Sequence, residues 1–505
     1  MNSIARPTHV LQAPSGPSLA EHVRSVLDAF LDPIVETLSA FVFEPTAEQL
    51  LRVEESLQRT LARIGGHIVG GLVAWLHGDL DLVSERTTHT RVTDPRDLRH
   101  RGFRETIVHF LGGIRLRFST PYLSEDREGR PGRRRGVGRR GEAGGGCYPV
   151  LESLGIQHQV SPALASEVAR QSVRCSSFEE ASEALAERGV RLDAKGVRRV
   201  ALFVGHEALR QRDHRKKAAA RGETFSDEFA GQRVVVSVDG GRVRIREGGQ
   251  RGRRGKKGRR RFHTPWREPK LVTAYVIDEE GHKVRSVQPL LDATMGDADA
   301  TFGLLIAELR LRGAAQAREL IVVGDGATWI WDRVDALAYA LDLPPEKVVR
   351  VADFYHAVEH LTAAVESRSG WNEAKKKGWV RRMRRLLKKG KLDEVLAAIR
   401  ALRCRRNAKK IATETAYFEK RRDLMRYDVF QDRCIPLGSG AVESAIRRVI
   451  NLRLKGPAIF WRQHSAEAML HLRAYLKAGR WREIVRRVMH RTADGRSALQ
   501  LKRAA

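Results

Sequence analysis

Five short apolar runs between residues 233 and 351 constrain the fold of this chain most strongly, because their length and composition suit strands. Three runs come in succession, and two more alternate with helical patterns predicted at 302–312 and 329–341. The predicted strands are RVVVSV at 233–238, KLVTAYVI at 270–277, a run at 282–287, ELIVV at 319–323 and VVRV at 348–351. Three strands followed by alternation predict a mixed sheet with helices on both faces.

Two of these strands end in an aspartate, and a third acidic residue begins a later helix. Asp239 ends the first strand, Asp325 ends the fourth, and Glu443 lies in the first turn of a helix that begins after the GSG run at 438–440. Side chains at the carboxyl ends of strands in an α/β sheet face the crevice where ligands bind. Carboxylates bind Mg²⁺, and two such ions about 3.5–4 Å apart can support phosphoryl transfer. The three residues are therefore candidate metal ligands.

Each acidic residue also has an ordinary structural interpretation. An Asp-Gly pair after a strand is often only a turn, and Glu443 could complement the helix dipole or pair with Arg447. Asp353, just after the fifth strand, could replace or supplement Asp325 as the second carboxylate. Asp325 is preferred because it ends the most apolar strand, which is expected at the sheet centre. The order of the three acids within a basic chain favours a functional site.

The net charge indicates the kind of partner. The 505 residues include 92 Lys and Arg against 61 Asp and Glu, which gives +31 and a pI near 10.7. A polyanion would offset this self-repulsion and release counterions on binding. The run at 251–261 joins two strands beside Asp239 and is predicted to contact DNA phosphates, with a solvated loop as the alternative. Its candidate DNA-binding residues are Arg251, Arg253, Arg254, Lys256, Lys257, Arg259, Arg260 and Arg261.

Composition excludes several other classes of protein. Hydrophobic residues make up 42% and charged residues 30%, which excludes a collagen-like or wholly disordered chain. Cys147, Cys175, Cys404 and Cys434 form no CxxC pair, so neither a complete zinc ribbon nor a disulfide framework is expected. The N-terminus lacks the apolar core of a signal peptide, and no apolar stretch is long enough to cross a bilayer. We therefore expect a cytoplasmic protein without a membrane partner.

Four motifs follow one another in the second half of the chain. They are VSVDGG at 236–241, VVGDGATWIW at 322–331, DFYHAVEHL at 353–361 and GSGAVESAIRRVINLRLKG at 438–456, followed by LRAYLKAGRW at 472–481. Over roughly residues 150 to 485 they resemble bacterial insertion-sequence DDE transposases, most of all the ISKra-type and ISLre-type group. The resemblance implies an α/β ribonuclease-H-like core with a helical insertion, plus mainly α-helical N- and C-terminal regions. It also implies Mg²⁺-dependent strand cleavage at transposon ends and strand transfer into target DNA.

The resemblance also implies roles for individual residues. Asp239, Asp325 and Glu443 correspond to the DDE triad and would hold Mg²⁺, with Mn²⁺ as a substitute. Asp353 and His356 correspond to supporting positions. The implied partners are double-stranded DNA, as transposon ends and target, and further copies of the chain in a synaptic homo-oligomer. The implied location is the bacterial cytoplasm, in association with the nucleoid.

These patterns predict six segments. Members of the family that the chain resembles often carry a cysteine-rich zinc-binding segment within residues 91–157, where this chain has only Cys147. Trp461 would belong to that family's C-terminal block. The segments are 1–90, an N-terminal helical region; 91–157, a basic Arg/Gly-rich linker with an eroded zinc-segment remnant; 158–225, a helix-turn-helix-like DNA-binding region or an ordinary helical hairpin; 226–365, the first part of the core; 366–435, a basic helical insertion; and 436–505, the core-completing helix and C-terminal helices.

Two other functions fit parts of the sequence. A catalytically inactive or domesticated DNA-binding relative would keep salt-dependent affinity without Mg²⁺-dependent cutting. The eroded cysteine segment favours this function, and the three intact acidic positions weigh against it. The run from His356 through Glu359 to His360 matches the HxxEH pattern of zinc metallopeptidases, and both histidines can lie on one helix face. No motif supplies the third ligand, so the peptidase is the weakest of the three.

Overall fold

The computed structural model describes residues 18–94, 97–125, 146–248 and 262–494. The chain divides into two compact units, one formed by Met1–Ala208 with Arg482–Ala505 and the other by Leu209–Trp481. Within the described residues, no helix combines the length and the apolar character that crossing a membrane requires.

The first unit is mainly helical and contains one two-stranded ribbon. Its long first two helices begin at Ser18 and Thr46, whose side chains accept hydrogen bonds from the first turn. Its elements are α1 Leu19–Phe43, α2 Ala47–Gly78, α3 Leu80–Thr93, β1 Leu98–His109, β2 Arg115–Glu125, α4 Pro149–Ser153, α5 Pro162–Arg174, α6 Phe178–Ala186 and the start of α7 Ala194–Ala220.

The ribbon corrects the prediction of a linker over 91–157. β1 and β2 pair antiparallel, with Thr106 opposite Phe118 and Val108 opposite Leu116. These four side chains are buried, while arginines and other polar residues occupy the alternate positions. A half-buried strand needs an apolar residue only at every second position. The many arginines therefore hid the alternation of buried and exposed residues that is typical of a strand.

The predicted helix-turn-helix segment consists of the helices expected there. α6 and α7 bury Leu185 and Val197 on facing sides of the turn. The Ser177 hydroxyl accepts from the Glu180 N–H at 3.0 Å, and Asp193 Oδ1 accepts from the Gly196 N–H at 2.8 Å. Each helix is thus capped by a side chain at its first turn. α7 runs through most of the second half of the predicted segment, from Ala194 to Ala220.

The second unit is built on a five-stranded mixed sheet, as the order of strands predicted. The order is β7-β6-β3-β8-β9; β3, β8 and β9 are parallel, and β6 is antiparallel to both β3 and β7. A small pair, β4 and β5, follows β3 along the chain. The strands are β3 Arg233–Gly240, β4 Val243–Arg244, β5 Trp266–Arg267, β6 Lys270–Ile277, β7 Leu290–Thr294, β8 Glu319–Gly324 and β9 Val348–Ala352.

The third strand was wrongly predicted at 282–287. That segment forms a turn, with one bridge between Ile277 and Lys283, and the strand lies at Leu290–Thr294 instead. All five residues of β7 are buried. An aspartate in the run LLDAT hid it from a search for apolar residues, although that carboxylate is buried against His471 Nδ1 at 2.8 Å.

Helices cover both faces of the sheet. One face of the sheet, which includes Val234 and Val236, packs against α8 and α10. The other face, which includes Val235 and Ile321, packs against α11 to α15. The interval 366–435 is helical, as predicted. The helices are α8 Ala298–Arg310, α9 Thr328–Trp331, α10 Val334–Ala340, α11 Phe354–Glu366, α12 Glu373–Lys388, α13 Leu392–Ala401, α14 Ala408–Glu419, α15 Tyr427–Asp432, α16 Gly440–Ile446, α17 Leu452–Leu454 and α18 Gln463–Lys477; α19 Trp481–Asp494 ends the described chain.

Candidate active site

Three aspartates lie level with one another at the carboxyl ends of three adjacent parallel strands. The β3–β8 pairing runs as far as Val236 opposite Val322, and the same register continued for three residues sets Asp239 opposite Asp325. The β8–β9 pairing ends with Gly324 opposite Ala352, so the next position sets Asp325 opposite Asp353. The sequence therefore delivers one carboxylate per strand to the same edge of the sheet.

The three aspartates also belong to the same face of the sheet. Successive side chains along a strand point to opposite faces, so residues separated by an even number share a face. Each aspartate follows a buried valine of one hydrophobic cluster by two or four positions; these valines are Val235, Val323 and Val351. This is the face that α11 and the inserted helices cover.

Glu443 is brought to this edge by α16, which packs on β3 and β6 through buried Val442 and Ala445. The pKa of Asp239 is raised to about 6, chiefly because burial desolvates its carboxylate, and further because Asp325, Glu443 and Glu268 repel its charge. A hydrogen bond of 2.6 Å from the Gly240 N–H opposes the shift. Asp325 and Glu443 thus both lie within electrostatic reach of Asp239.

The donor set suits a divalent cation that is shared with solvent or substrate. No three His, Cys, Asp or Glu side chains among the described residues form a group that could hold a metal ion by themselves. Mg²⁺ usually binds through one or two carboxylates together with waters and substrate phosphates. The mutual repulsion at Asp239 is what a cation would offset. The residues therefore fit Mg²⁺ by chemistry and charge, but not as an all-protein cage.

Asp353 has a different role from Asp239 and Asp325. It is 1% exposed and caps α11, where its Oδ1 accepts from the Tyr355 and His356 N–H groups at 2.6 and 3.1 Å. Its Oδ2 accepts from the Ser439 N–H at 2.7 Å and from the Ser439 hydroxyl. Both oxygens are therefore used in holding the chain together. These contacts favour a positioning role for Asp353 over replacement of Asp325 as a metal ligand.

Asp325 is held by its own loop. Its Oδ1 accepts from the Ala327 N–H at 2.9 Å, and its backbone carbonyl accepts from Trp331 Nε1 at 2.8 Å. The next residue is Gly326, where a Cβ atom would collide with the Tyr417 ring. The Asp-Gly pair therefore reflects close packing against an inserted helix as well as a turn.

The two histidines of the HxxEH run are engaged by carboxylates. His356 Nδ1 lies 3.2 Å from Glu359 Oε2, and His360 Nδ1 lies 2.6 Å from Glu414 Oε2. Burial lowers the pKa of His360, while the bond to buried Glu414 opposes that shift. Because the described residues contain no three-ligand group, this arrangement gives a zinc peptidase no support.

Two residues of the inserted helices were missed by sequence reasoning. The Tyr417 ring stacks on His360 with centroids 3.5 Å apart, and the Arg421 guanidinium lies 4.4 Å from the Tyr417 centroid and donates to the Gly326 carbonyl. Burial raises the pKa of Tyr417; Arg421 opposes this shift and Asp325 adds to it. The Tyr417 hydroxyl is buried without a hydrogen-bond partner among the described residues. No motif marks either residue, because their role depends on how α14 packs.

The predicted DNA-binding run at 251–261 lies outside the described residues. Its described flanks are anchored to the C-terminal block, since the Trp461 carbonyl accepts from the Arg246 N–H at 2.7 Å and the Trp461 N–H donates to the Arg244 carbonyl at 3.0 Å. Trp461 Nε1 also donates to the Leu454 carbonyl at 3.2 Å. These three bonds fix Trp461 between the strand that follows β3 and the turn after α17.

Comparison with known proteins identifies no relative. No protein-family model, no curated protein and no solved structure matches the chain. The chemistry of the acidic edge must therefore be argued from its strands, side chains and charges.

Proposed function

We propose that this protein is a DDE-type DNA transposase, which cleaves DNA strands at transposon ends and transfers them into target DNA with Mg²⁺, or Mn²⁺ as a substitute. The observation that carries the proposal is the meeting of Asp239, Asp325 and Glu443 at one edge of the sheet. The net charge of +31 adds to it, because a polyanionic substrate would offset that charge.

The sheet supports a ribonuclease-H-like core for the second unit. The unit has a mixed sheet in the order β7-β6-β3-β8-β9, in which only β6 runs against the others, and helices cover both of its faces. The inserted helices α12 to α15 separate the second aspartate from Glu443, as the resemblance to transposases implies. A fold alone supports many activities, so the acidic edge remains the stronger argument.

Each residue of the edge has a defined task in this reaction. Asp239, Asp325 and Glu443 would hold the divalent ions, which would supply charge to activate the attacking oxygen and to stabilise the leaving one. Asp239 is mostly ionised above its pKa of about 6 and then offers its carboxylate as a ligand. Asp325 is oriented by the Ala327 N–H, and Asp353 fixes the loop that precedes Glu443. Water first attacks a phosphodiester, which leaves a 5′-phosphate and frees a 3′-hydroxyl. That hydroxyl then attacks a phosphodiester of the target, forms a new P–O bond and displaces the target's own 3′-hydroxyl.

The proposal includes double-stranded DNA and further copies of the chain as partners, in the nucleoid-associated cytoplasm of a bacterium. We assign the contact between copies to the exposed apolar face of α1 and α2, where Leu31 is 57% and Val35 51% exposed. Between residues 19 and 78 the chain carries eight Asp and Glu against four Lys and Arg. This net negative charge disfavours DNA at that face and favours a protein surface.

A DNA-binding protein without cleavage activity is the second candidate. The absence of a three-ligand group among the described side chains favours it. It predicts salt-dependent DNA affinity and no product in the presence of Mg²⁺.

An assay of the purified chain on linear DNA bearing the gene's own flanking sequences separates the candidates. We expect Mg²⁺-dependent cleavage and strand transfer by the wild type, and neither by Asp239→Asn, with DNA binding retained. Glu268→Gln is the matched control, because Glu268 is an exposed neighbour of Asp239 outside the triad. Normal cleavage by Asp239→Asn would overturn the transposase assignment. Binding without cleavage by the wild type would establish the second candidate.

A further inference from the structure

A basic cavity lies on the face of the sheet that carries Asp239, where α16 and α18 meet β6 and β7; its residue Thr273 is level with Ser237, two positions before Asp239. It has a volume of about 390 Å³, and its walls include Tyr275, Lys283, Ser444, Arg448 and Lys477. We propose that this cavity binds a backbone phosphate of the DNA strand that is cut at the acidic edge, an inference that rests on the proposed function for the identity of the strand.

The lining of the cavity is cationic. Lys283, Arg448 and Lys477 contribute three cations, and no carboxylate lines the cavity. Two other cavities of the described chain each carry at least three carboxylates, which equal or outnumber their cations. A cavity lined by cations alone suits an anion, and arginine and lysine are the side chains that hold phosphates.

Two of these cations, Lys283 and Arg448, form no ion pair among the described residues, and neither does Arg285. Burial lowers the pKa of Lys283, and repulsion by Arg448 and Arg285 lowers it further. A bound phosphate would remove this repulsion, which the folded chain alone leaves in place.

Arg448 is held in position by the backbone. It lies in a π-helical turn, Arg447–Asn451, that interrupts the helix after α16. Its carbonyl accepts from Arg473 Nε at 2.7 Å, and Arg473 is only 2% exposed. Its own Nε donates to the Ser444 carbonyl at 3.3 Å. Such turns are often found at functional sites, and here the turn is fixed from inside by a buried guanidinium.

The cavity and the acidic edge are served by the same helix. Ala441, Ser444 and Arg448 line the cavity, while Glu443 is the candidate ligand at the edge. Adjacent residues of a helix project about 100° apart at 3.6 residues per turn, and a helix is on the order of 10 Å wide. At about 3.4 Å of rise per nucleotide, a phosphate in the cavity would lie a few nucleotides from the bond that is cut.

The test measures how DNA binding depends on salt for the full chain and for Lys283→Gln and Arg448→Gln. Each phosphate contact contributes about 0.9 to the slope of log affinity against log salt for duplex DNA. We expect each variant to lower the slope by about 1. The control is Arg318→Gln, because Arg318 is already paired with Glu279 at 2.7 Å and its loss should leave the slope unchanged. Equal slopes for the wild type and both cavity variants would overturn the proposal.

A second arm distinguishes a DNA phosphate from a free one, and a third separates this inference from the proposed function. The cavity is a free-anion site, and the proposal fails, under two joint conditions. Inorganic phosphate raises the melting temperature of the wild type but not that of Arg448→Gln, and duplex DNA raises the melting temperature of neither protein. Equal melting temperatures of variant and wild type without ligand exclude misfolding as the cause of a lower slope. If the wild type does not cut DNA while both slopes fall, the transposase assignment fails and the phosphate site stands.

Discussion

The Ser439 N–H donates a hydrogen bond of 2.7 Å to Asp353 Oδ2, although the two residues are 86 positions apart in the chain. The Phe354 N–H adds a bond of 2.8 Å to the Leu437 carbonyl. The loop before α16 is thereby tied to the end of β9, the strand next to that of Asp325. Glu443 lies four residues after Ser439, so its position relative to the sheet depends on this connection.

Removing the Ser439 hydroxyl should weaken both the fold and the site. Ser439→Ala deletes a hydrogen bond to a buried carboxylate, and bonds to charged groups contribute about 1.5–3 kcal/mol. We expect the free energy of unfolding, measured with urea, to fall by about that amount, and Mg²⁺-dependent cleavage to slow. Thr413→Ala is the control, because this exposed hydroxyl bonds only to the neutral Lys409 carbonyl. Equal losses in both variants would contradict a special role for Ser439.

The raised pKa of Asp239 predicts a defined dependence of stability on pH without metal. Its folded value of about 6 exceeds the ordinary 3.8, so between about pH 4 and 6 the folded state binds more protons than the unfolded state. Stability therefore falls as pH rises through this window and levels off above it. Asp239→Asn should be more stable than the wild type above pH 6 by about 1–2 kcal/mol, since partial exposure reduces the effect.

The measurement is urea unfolding at several pH values in the presence of a chelator. The difference between Asp239→Asn and the wild type should close as the pH falls towards 4. A difference that stays constant with pH would show that titration of Asp239 is not its cause.

Mg²⁺ should stabilise the wild type more than Asp239→Asn. A ligand that binds only the folded state raises stability with its concentration, and protons compete for the same carboxylate near pH 6. The rise in melting temperature with Mg²⁺ should therefore be larger at pH 8 than at pH 5. If Mg²⁺ raised the melting temperature of Asp239→Asn as much as that of the wild type at each pH, Asp239 would not belong to the metal site.

A buried ion pair in the second unit should be essential to its stability. Arg215 Nε and Nη2 donate to the two carboxylate oxygens of Glu308 at 2.8 and 2.9 Å, and Glu308 is 2% exposed. Removing one partner of such a pair costs about 3–5 kcal/mol. Arg215→Met should fall at the lower end of that range, because Arg312 still donates to Glu308 at 3.3 Å. Arg221→Met, which breaks an exposed pair, should cost less than about 1 kcal/mol in the same urea titration.

The apolar face of α1 should mediate self-association. Leu31→Glu combined with Val35→Glu places charges on a face that is already exposed, so the monomer should keep its helix content. Sedimentation velocity should then detect a smaller assembly than for the wild type. Leu80→Glu, 74% exposed at the start of α3, is the control and should leave the assembly intact. An unchanged assembly in the double variant would move the contact elsewhere.

Sequence patterns located most strands because each apolar run is short and ends at a turn. The run at 270–277 coincides with β6, and that at 319–323 differs from β8 only by one glycine. The patterns failed at β7 and at the ribbon of β1 and β2. In both places charged or polar residues interrupt the apolar signal, and their partners lie far away in the chain, as His471 does for the aspartate of β7.

The amino-acid sequence by itself determined the excess of positive charge, the short apolar runs of the central strands and the presence of an acid at the end of each of three of them. Only the tertiary structure decided which acids share an edge, because the alignment of two paired strands depends on residues that are far apart in the chain. It also assigned Asp353 to the loop of Ser439 and brought Tyr417 beside Asp325. Hydrogen bonds need contact within about 3 Å and electrostatic coupling is screened over about 10 Å, and separation along the chain does not determine which groups come that close.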